Sequence, residues 1–192
     1  MAPLRIAVDV DEVLCPFLKT MSKWKYPGFR APARHPYHYG KLFRMTSKES
    51  KYMVDAFYFS DECHAMEPLE DSQKYLEIMS KQYDLYVMSG RQDIARHMTE
   101  EWIGRNYPGV FKDIILTNSF TPHEVDKADL CHSLRMSAII DDSFETCMKC
   151  IDRNVYPIHY IGYPVYPWCN MNPYSEQTWA GVHLNVMENV PI

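Results

Sequence analysis

Arg5-Ile6-Ala7-Val8-Asp9-Val10-Asp11-Glu12-Val13 is the most informative run in this chain. Ile6, Ala7, Val8 and Val10 make a short, nearly continuous apolar stretch rich in β-branched side chains. Such a stretch suits a strand buried on both faces of a parallel sheet. Asp9 and Asp11 stand where that strand ends. A helix-capping role accounts for Asp11-Glu12 taken alone, because aspartate is a good N-cap. It does not account for Asp9, an acid at the very end of a buried strand.

Runs of the same kind recur at residues 85–88, 114–116, 138–140 and 155–161. Helix-like stretches lie between them at 69–81, 94–106, 127–134 and 144–153. This alternation predicts an α/β fold: a Rossmann-like, mostly parallel five-stranded sheet flanked by helices. Residues 16–67 break the rhythm and are too many for a loop. They are expected to fold as a small helical cap inserted after the first strand, with helices over 17–24 and 48–57. Residues 1–15 and 68–192 then make up the core domain. The tail from 163 to 192, rich in Pro, Tyr, Trp and Asn, is expected to be irregular chain packed by aromatics.

In open α/β sheets, ligands bind at the carboxyl ends of the strands. Those ends carry Asp9-Val10-Asp11, Ser89-Gly90-Arg91 and Asp141-Asp142, and Lys127 opens the helix before the strand that ends in Asp141. One carboxylate of the first pair can attack phosphorus while the other moves a proton. Clustered carboxylates repel and are commonly neutralised by a divalent cation; Mg2+ suits a few carboxylates plus water and substrate oxygens. Singly, Ser89 reads as a turn residue and Lys127 as solvated surface. Together, a hydroxyl, the Gly90 amide and an ammonium are what a transferring phosphoryl group requires.

Composition bounds the partners. Of 192 residues, 46% are hydrophobic and 23% charged, a balance that allows a sizeable core and excludes a disordered chain. A formal charge of −5 argues against a nucleic-acid duplex, which needs a cationic surface. A small phosphorylated substrate remains compatible, since a few local cations hold one phosphate. No apolar run approaches the roughly 20 residues of a membrane helix, so no membrane partner is expected. The first residues lack a signal pattern, and six scattered cysteines lack the spacing of a disulfide framework. A cytoplasmic protein with reduced thiols is the expectation, and the reading admits a homodimer. Cys147 and Cys150 have zinc-like spacing, but no second pair accompanies them; on one helix face they read as buried packing.

The order D-x-D-x-V at residues 9–13, Ser89 after an apolar strand, Lys127 and then Asp141-Asp142 resembles the haloacid dehalogenase (HAD) superfamily, most of whose members are phosphatases. The likeness covers residues 4–15 and about 68–162. Within that superfamily the chain looks most like the 5′(3′)-deoxyribonucleotidases and their relatives. The resemblance implies Asp9 as nucleophile and Asp11 as general acid/base. It implies Mg2+ held by Asp9, the Asp11 carbonyl and an acid of the Asp141-Asp142 pair, with Asp142 the first choice. It also implies phosphate contacts from Ser89, Gly90, Arg91 and Lys127, with Phe17 in the place of an aromatic that holds the base. Glu12 stands where many members have Gly or Thr, and the second motif lacks the further hydroxyl usual in the nucleotidases. The expected substrate is a nucleoside monophosphate. A sugar phosphate or other small metabolite is the alternative, as is a binding protein that kept the fold without catalysis. Of the aromatics Trp24, Tyr26, Phe29, Tyr37, Tyr39 and Phe43, one or two are expected to face substrate and the rest to pack.

Overall fold

A computed structural model describes residues 3–190; residues 1, 2, 191 and 192 of the expected core domain lie outside the described residues. The central strand is β1 (Arg5–Val8), whose Ile6, Ala7 and Val8 are fully buried. It lies between β2 (Asp84–Ser89) and β4 (Ala138–Asp141), pairing Val8 with Val87 on one side and with Ile140 on the other. β3 (Phe111–Leu116) flanks β2, and β5 (Tyr156–Tyr160) flanks β4. All pairings are parallel, so every strand ends at the same edge.

Successive side chains of a strand point to opposite faces, and the core divides accordingly. Ile6, Val8, Leu85, Val87 and Ile140 belong to one apolar cluster, and Ala7, Met88 and Ile139 to another. The second cluster is closed by α7 (Lys127–Ser133) and α8 (Phe144–Ile151), through Ala128, Cys131 and Cys150. As expected, Cys147 and Cys150 are buried on one face of α8. On the other face lie α5 (Ser72–Met79) and α6 (Arg96–Asn106).

Four helices separate β1 from α5: α1 (Phe17–Lys25), α2 (Tyr39–Phe43), α3 (Ser47–Tyr58) and α4 (Asp61–His64). α3 begins where the pattern demands. Thr46 accepts from the Glu49 N–H while Glu49 accepts from the Thr46 N–H, a reciprocal cap that satisfies two donors. The buried face of this insert, with Phe17, Met21, Met53 and Phe57, joins the same cluster as the sheet.

Two expectations are corrected. The sheet has six strands, ordered β3-β2-β1-β4-β5-β6, where five are expected from the sequence. The sixth, β6 (Ser175–Glu176), is two residues long and carries no apolar alternation; its pairing with His159 and Tyr160 supplies what its own composition lacks. The tail is also more regular than expected, because it ends in α9 (Trp179–Asn189), which packs on α5. Thr178 caps that helix by accepting from the Gly181 N–H, and Trp179, Val182 and Val186 bury one face at helical spacing. Gly181, Asn185 and Asn189 are weak helix formers, which masks the pattern.

Candidate active site

β1 ends at Val8, and the Asp9 N–H still reaches the Ile140 carbonyl at 2.9 Å. The ladder therefore carries Asp9 to the rim before the chain turns away. The turn passes through Glu12, whose φ of 64° is left-handed. The buried Glu12 carboxylate folds back and accepts the Leu18 N–H at 2.5 Å, satisfying a free donor in the first turn of α1. Burial pushes the Glu12 carboxyl up to about 8. β4 ends in the same plane with Asp141, and Asp142 follows it.

Asp9, Asp141 and Asp142 are all buried, and each offers a carboxylate oxygen within 4.8 Å of the others. Lys127, at the first position of α7, lies between two of them: Nζ is 2.9 Å from Asp9 Oδ2 and 2.7 Å from Asp141 Oδ2. The second oxygens of these acids accept main-chain donors at 2.8 Å, Val10 N–H on Asp9 and Ser143 N–H on Asp141. Asp142 Oδ2 accepts the Trp168 indole N–H at 2.9 Å. Among the described residues, Asp142 Oδ1 accepts no hydrogen bond.

One ammonium cannot offset three buried carboxylates. Burial pushes Asp9 up to about 7, with Lys127 opposing and Asp141 and Asp11 reinforcing. Burial, then Asp141 and Asp9, hold Asp142 well above the usual carboxylate range. Although burial works against its charge, Asp141 and Asp9 keep the Lys127 ammonium above its ordinary value. Uncompensated acids at such spacing, one with a free oxygen, fit a divalent cation.

The remaining expected residues are placed as follows. Ser89 is fully buried at the end of β2, its Oγ accepting the Arg91 N–H at 3.3 Å. Gly90 is partly exposed beside Ser119; a Cβ there would come 3.0 Å from Ser119 Oγ, so a side chain would crowd the loop. Asp11 is turned away from the three acids. Arg91 donates to it twice, from Nη2 at 2.7 Å and Nε at 3.1 Å, and from Nη1 to Thr99 Oγ1 at 3.0 Å. Arg91 was expected on the phosphate; the structure instead commits its buried guanidinium to Asp11 and Thr99, over the rings of Phe17 and Tyr58. Phe17, expected beside a base, is 1% exposed and packs on Tyr39, Phe57 and Tyr58, because its position at the start of α1 points it into the core. Of the six insert aromatics singled out from the sequence, Tyr26 and Phe29 are the most exposed, although Tyr52 and Phe59 on and after α3 are more exposed still.

Sequence reasoning missed Trp168 and Tyr166. Tyr166 donates its hydroxyl to the Glu12 carbonyl at 2.7 Å, and its ring stacks on Trp168 at 4.9 Å. The tail's aromatic density was a signal of packing, but nothing in its spacing names Asp142 as a partner.

A family model for the 5′ nucleotidase, deoxy (pyrimidine), cytosolic type C protein (NT5C) matches residues 3–152. No curated protein matches the chain. Several solved structures share its fold. A haloacid dehalogenase-like family hydrolase from Streptococcus pneumoniae is 16% identical, with 81% of this chain and 83% of that one covered and a TM-score of 0.55. The HAD-hydrolase YfnB of Bacillus subtilis, bound to magnesium, is 11% identical over 100% of both chains, with a TM-score of 0.60. A haloacid dehalogenase-like hydrolase from Xanthomonas campestris is 9% identical, covering 100% of this chain and 99% of that one, with a TM-score of 0.56.

Proposed function

The chain belongs to the 5′ nucleotidase, deoxy (pyrimidine), cytosolic type C family, within the HAD superfamily, and from that premise we propose a Mg2+-dependent phosphomonoesterase that turns over through an aspartyl phosphate on Asp9. The observation that carries this reading is the convergence of Asp9, Asp141 and Asp142 at the strand ends, with Lys127 bridging two of them. Asp9, Asp142 and the Asp11 carbonyl would hold the ion, with Asp141 beside them. When bound, it offsets phosphate charge and orients the nucleophile.

In the first half-reaction an Asp9 carboxylate oxygen attacks phosphorus, the bond to the ester oxygen breaks, and Asp11 protonates that leaving oxygen. In the second, Asp11 takes a proton from water as its oxygen attacks the aspartyl phosphate. The bond to Asp9 then breaks, inorganic phosphate leaves, and both carboxyl groups return to their starting states. The acid role requires the Asp11 carboxylate to leave Arg91, take up a proton from solvent and turn toward the leaving oxygen before the first half-reaction. Lys127, the Gly90 amide and the Ser89 hydroxyl would hold the other phosphoryl oxygens.

The substrate class we favour is a nucleoside monophosphate, in keeping with the family. Residues 16–67 would act as a cap over residues 1–15 and 68–192, and the exposed faces of Tyr26 and Phe29 offer surfaces on which a base can stack. Six buried, free cysteines accord with a reducing cytoplasmic setting. Among the described residues no helix is long and apolar enough to cross a membrane. The test is phosphate release from ribo- and deoxyribonucleoside monophosphates and sugar phosphates, each with Mg2+, with EDTA and with Asp9→Asn. Metal-dependent release lost in the variant and greatest for nucleotides is the expected result. Release from sugar phosphates alone would keep the chemistry and discard the nucleotide, and release unaffected by Asp9→Asn would overturn the mechanism.

A further inference from the structure

Asp142 is the acid with an oxygen to spare, yet it follows the end of β4, where no ladder hydrogen bond fixes its side chain. What fixes it comes from the far end of the chain, beyond residue 152, where the family match stops. The Trp168 indole N–H donates to Asp142 Oδ2 at 2.9 Å. The Asp142 carbonyl is held as well, with His159 Nε2 at 3.0 Å and the Cys169 thiol donating at 3.5 Å. Asn172 Nδ2 lies 2.7 Å from His159 Nδ1, so an Nε2-protonated ring satisfies both contacts.

The indole is itself clamped. Its ring stacks on Tyr166 at 4.9 Å and 17°, and packs on Tyr37 at 4.7 Å and on His35 at 5.6 Å. Tyr166 is pinned to the Glu12 carbonyl, and Arg34 donates to the Cys169 carbonyl at 2.6 Å. A Trp packed against three rings has few rotamers left, so its N–H points one way. A carboxylate that gives one oxygen to a fixed donor presents its other oxygen in a fixed direction. Asp142 offers a carboxylate oxygen within 4.8 Å of oxygens of Asp9 and Asp141, and the one that Trp168 leaves unbonded is Oδ1.

We propose that Trp168 is a positioning residue of the metal centre: its indole N–H sets the rotation of the Asp142 carboxylate so that Oδ1 faces the cation. The inference builds on the reading of Asp142 as a metal ligand given above. Outer partners of this kind orient ligands, and their loss typically weakens metal binding by about 10- to 100-fold. Phe at position 168 keeps an aromatic face for Tyr166 and Tyr37 while removing the donor.

The test is calorimetric titration of MgCl2 and MnCl2, without phosphate, into wild type, Trp168→Phe and Tyr166→Phe, with melting curves for all three. Trp168→Phe is expected to weaken both ions about 10-fold or more, and Tyr166→Phe, which keeps the stack, less than about twofold. A second readout needs no variant at position 168. In 15N-indole spectra the Trp168 resonance should shift on Mg2+ addition to wild type and stay still in Asp142→Asn. Wild-type affinity in Trp168→Phe, equal losses in both aromatic variants, or an indole signal unmoved by a binding ion would each overturn the inference alone. A wild-type protein that binds neither ion would overturn the metal-centre reading and this inference with it.

Discussion

Arg91 and Asp11, 80 positions apart in the chain, meet in an ion pair with Arg91 Nη2 2.7 Å from Asp11 Oδ1. The guanidinium side chain is 2% exposed, and it also meets Thr99, the Cys15 sulfur and two aromatic faces. Removing one member of a buried pair leaves the other charge uncompensated. Asp11→Asn is therefore expected to lower stability by about 3 kcal/mol as well as to abolish turnover. Urea unfolding checks this, and a variant as stable as wild type would show that Arg91 does not depend on Asp11.

Asp9→Asn should behave in the opposite way toward stability. Asp9 is raised from 3.8 to about 7 in the fold, so between those values the folded state keeps a proton that the unfolded state releases. Stability then falls as pH rises through that window, because the unfolded state binds fewer protons. Asparagine removes the term. Without metal, at a pH above the window, the variant should melt no lower than wild type while losing roughly a thousandfold or more in turnover. A collapsed fold would reassign Asp9 to structure.

Glu12 gives a second titration with the same sign. Its folded value of about 8 lies above the ordinary 4.5, so its burial costs progressively more as pH climbs between them. Metal-free wild type is expected to lose melting temperature from about pH 5 to about pH 8, and Glu12→Gln, which keeps an oxygen for the Leu18 N–H, to lose less. Parallel curves would remove Glu12 from the account.

Divalent affinity should move the other way. Metal binding needs the acids deprotonated, so it competes with the proton held on Asp9 and Asp142. Calorimetric affinity for Mg2+ is expected to strengthen as pH rises through about 7, with protons released on binding. An affinity independent of pH would contradict the placement of the ion among these acids.

Lys127→Met takes away the cation that Asp9 and Asp141 share. The metal-free variant is expected to lose about 3 kcal/mol, and added Mg2+ to raise its melting temperature more than that of wild type. An equal Mg2+ increment in both proteins would argue against a shared charge cluster.

Phe17, expected from the resemblance to hold a base, is instead part of the core. A ring that is 1% exposed and packed on three aromatics is core, so Phe17→Ala should cost about 3–5 kcal/mol through the cavity it leaves. A specific rise in KM for nucleotides with unchanged stability would restore it to the base pocket.

Much of this protein was legible in its sequence. Short apolar runs with acids at their ends predicted a parallel sheet and located Asp9, Lys127, Asp141 and Asp142 on one edge, where the structure gathers them. That inference works because strand periodicity and chain direction are local, and parallel strands all finish on the same side. The interruption at 16–67 was likewise visible as a connection too long for a loop. α9 was nearly legible: Trp179, Val182 and Val186 keep helical spacing behind Gly181 and Asn185.

Other features could be read only in the folded chain. β6 exists because the edge of β5 offers it a partner. The direction of Arg91, inward to Asp11, and the burial of Phe17 depend on how α1, α3 and α6 close over β2. Trp168 meets Asp142 across 26 residues with no intervening pattern. The sequence by itself determined which chemical groups stand at the strand ends, since that follows from local periodicity. Only tertiary packing decided which of them face each other. A side chain's partner is chosen by the burial and hydrogen bonding of segments far apart in the chain, and no spacing along the chain encodes that choice.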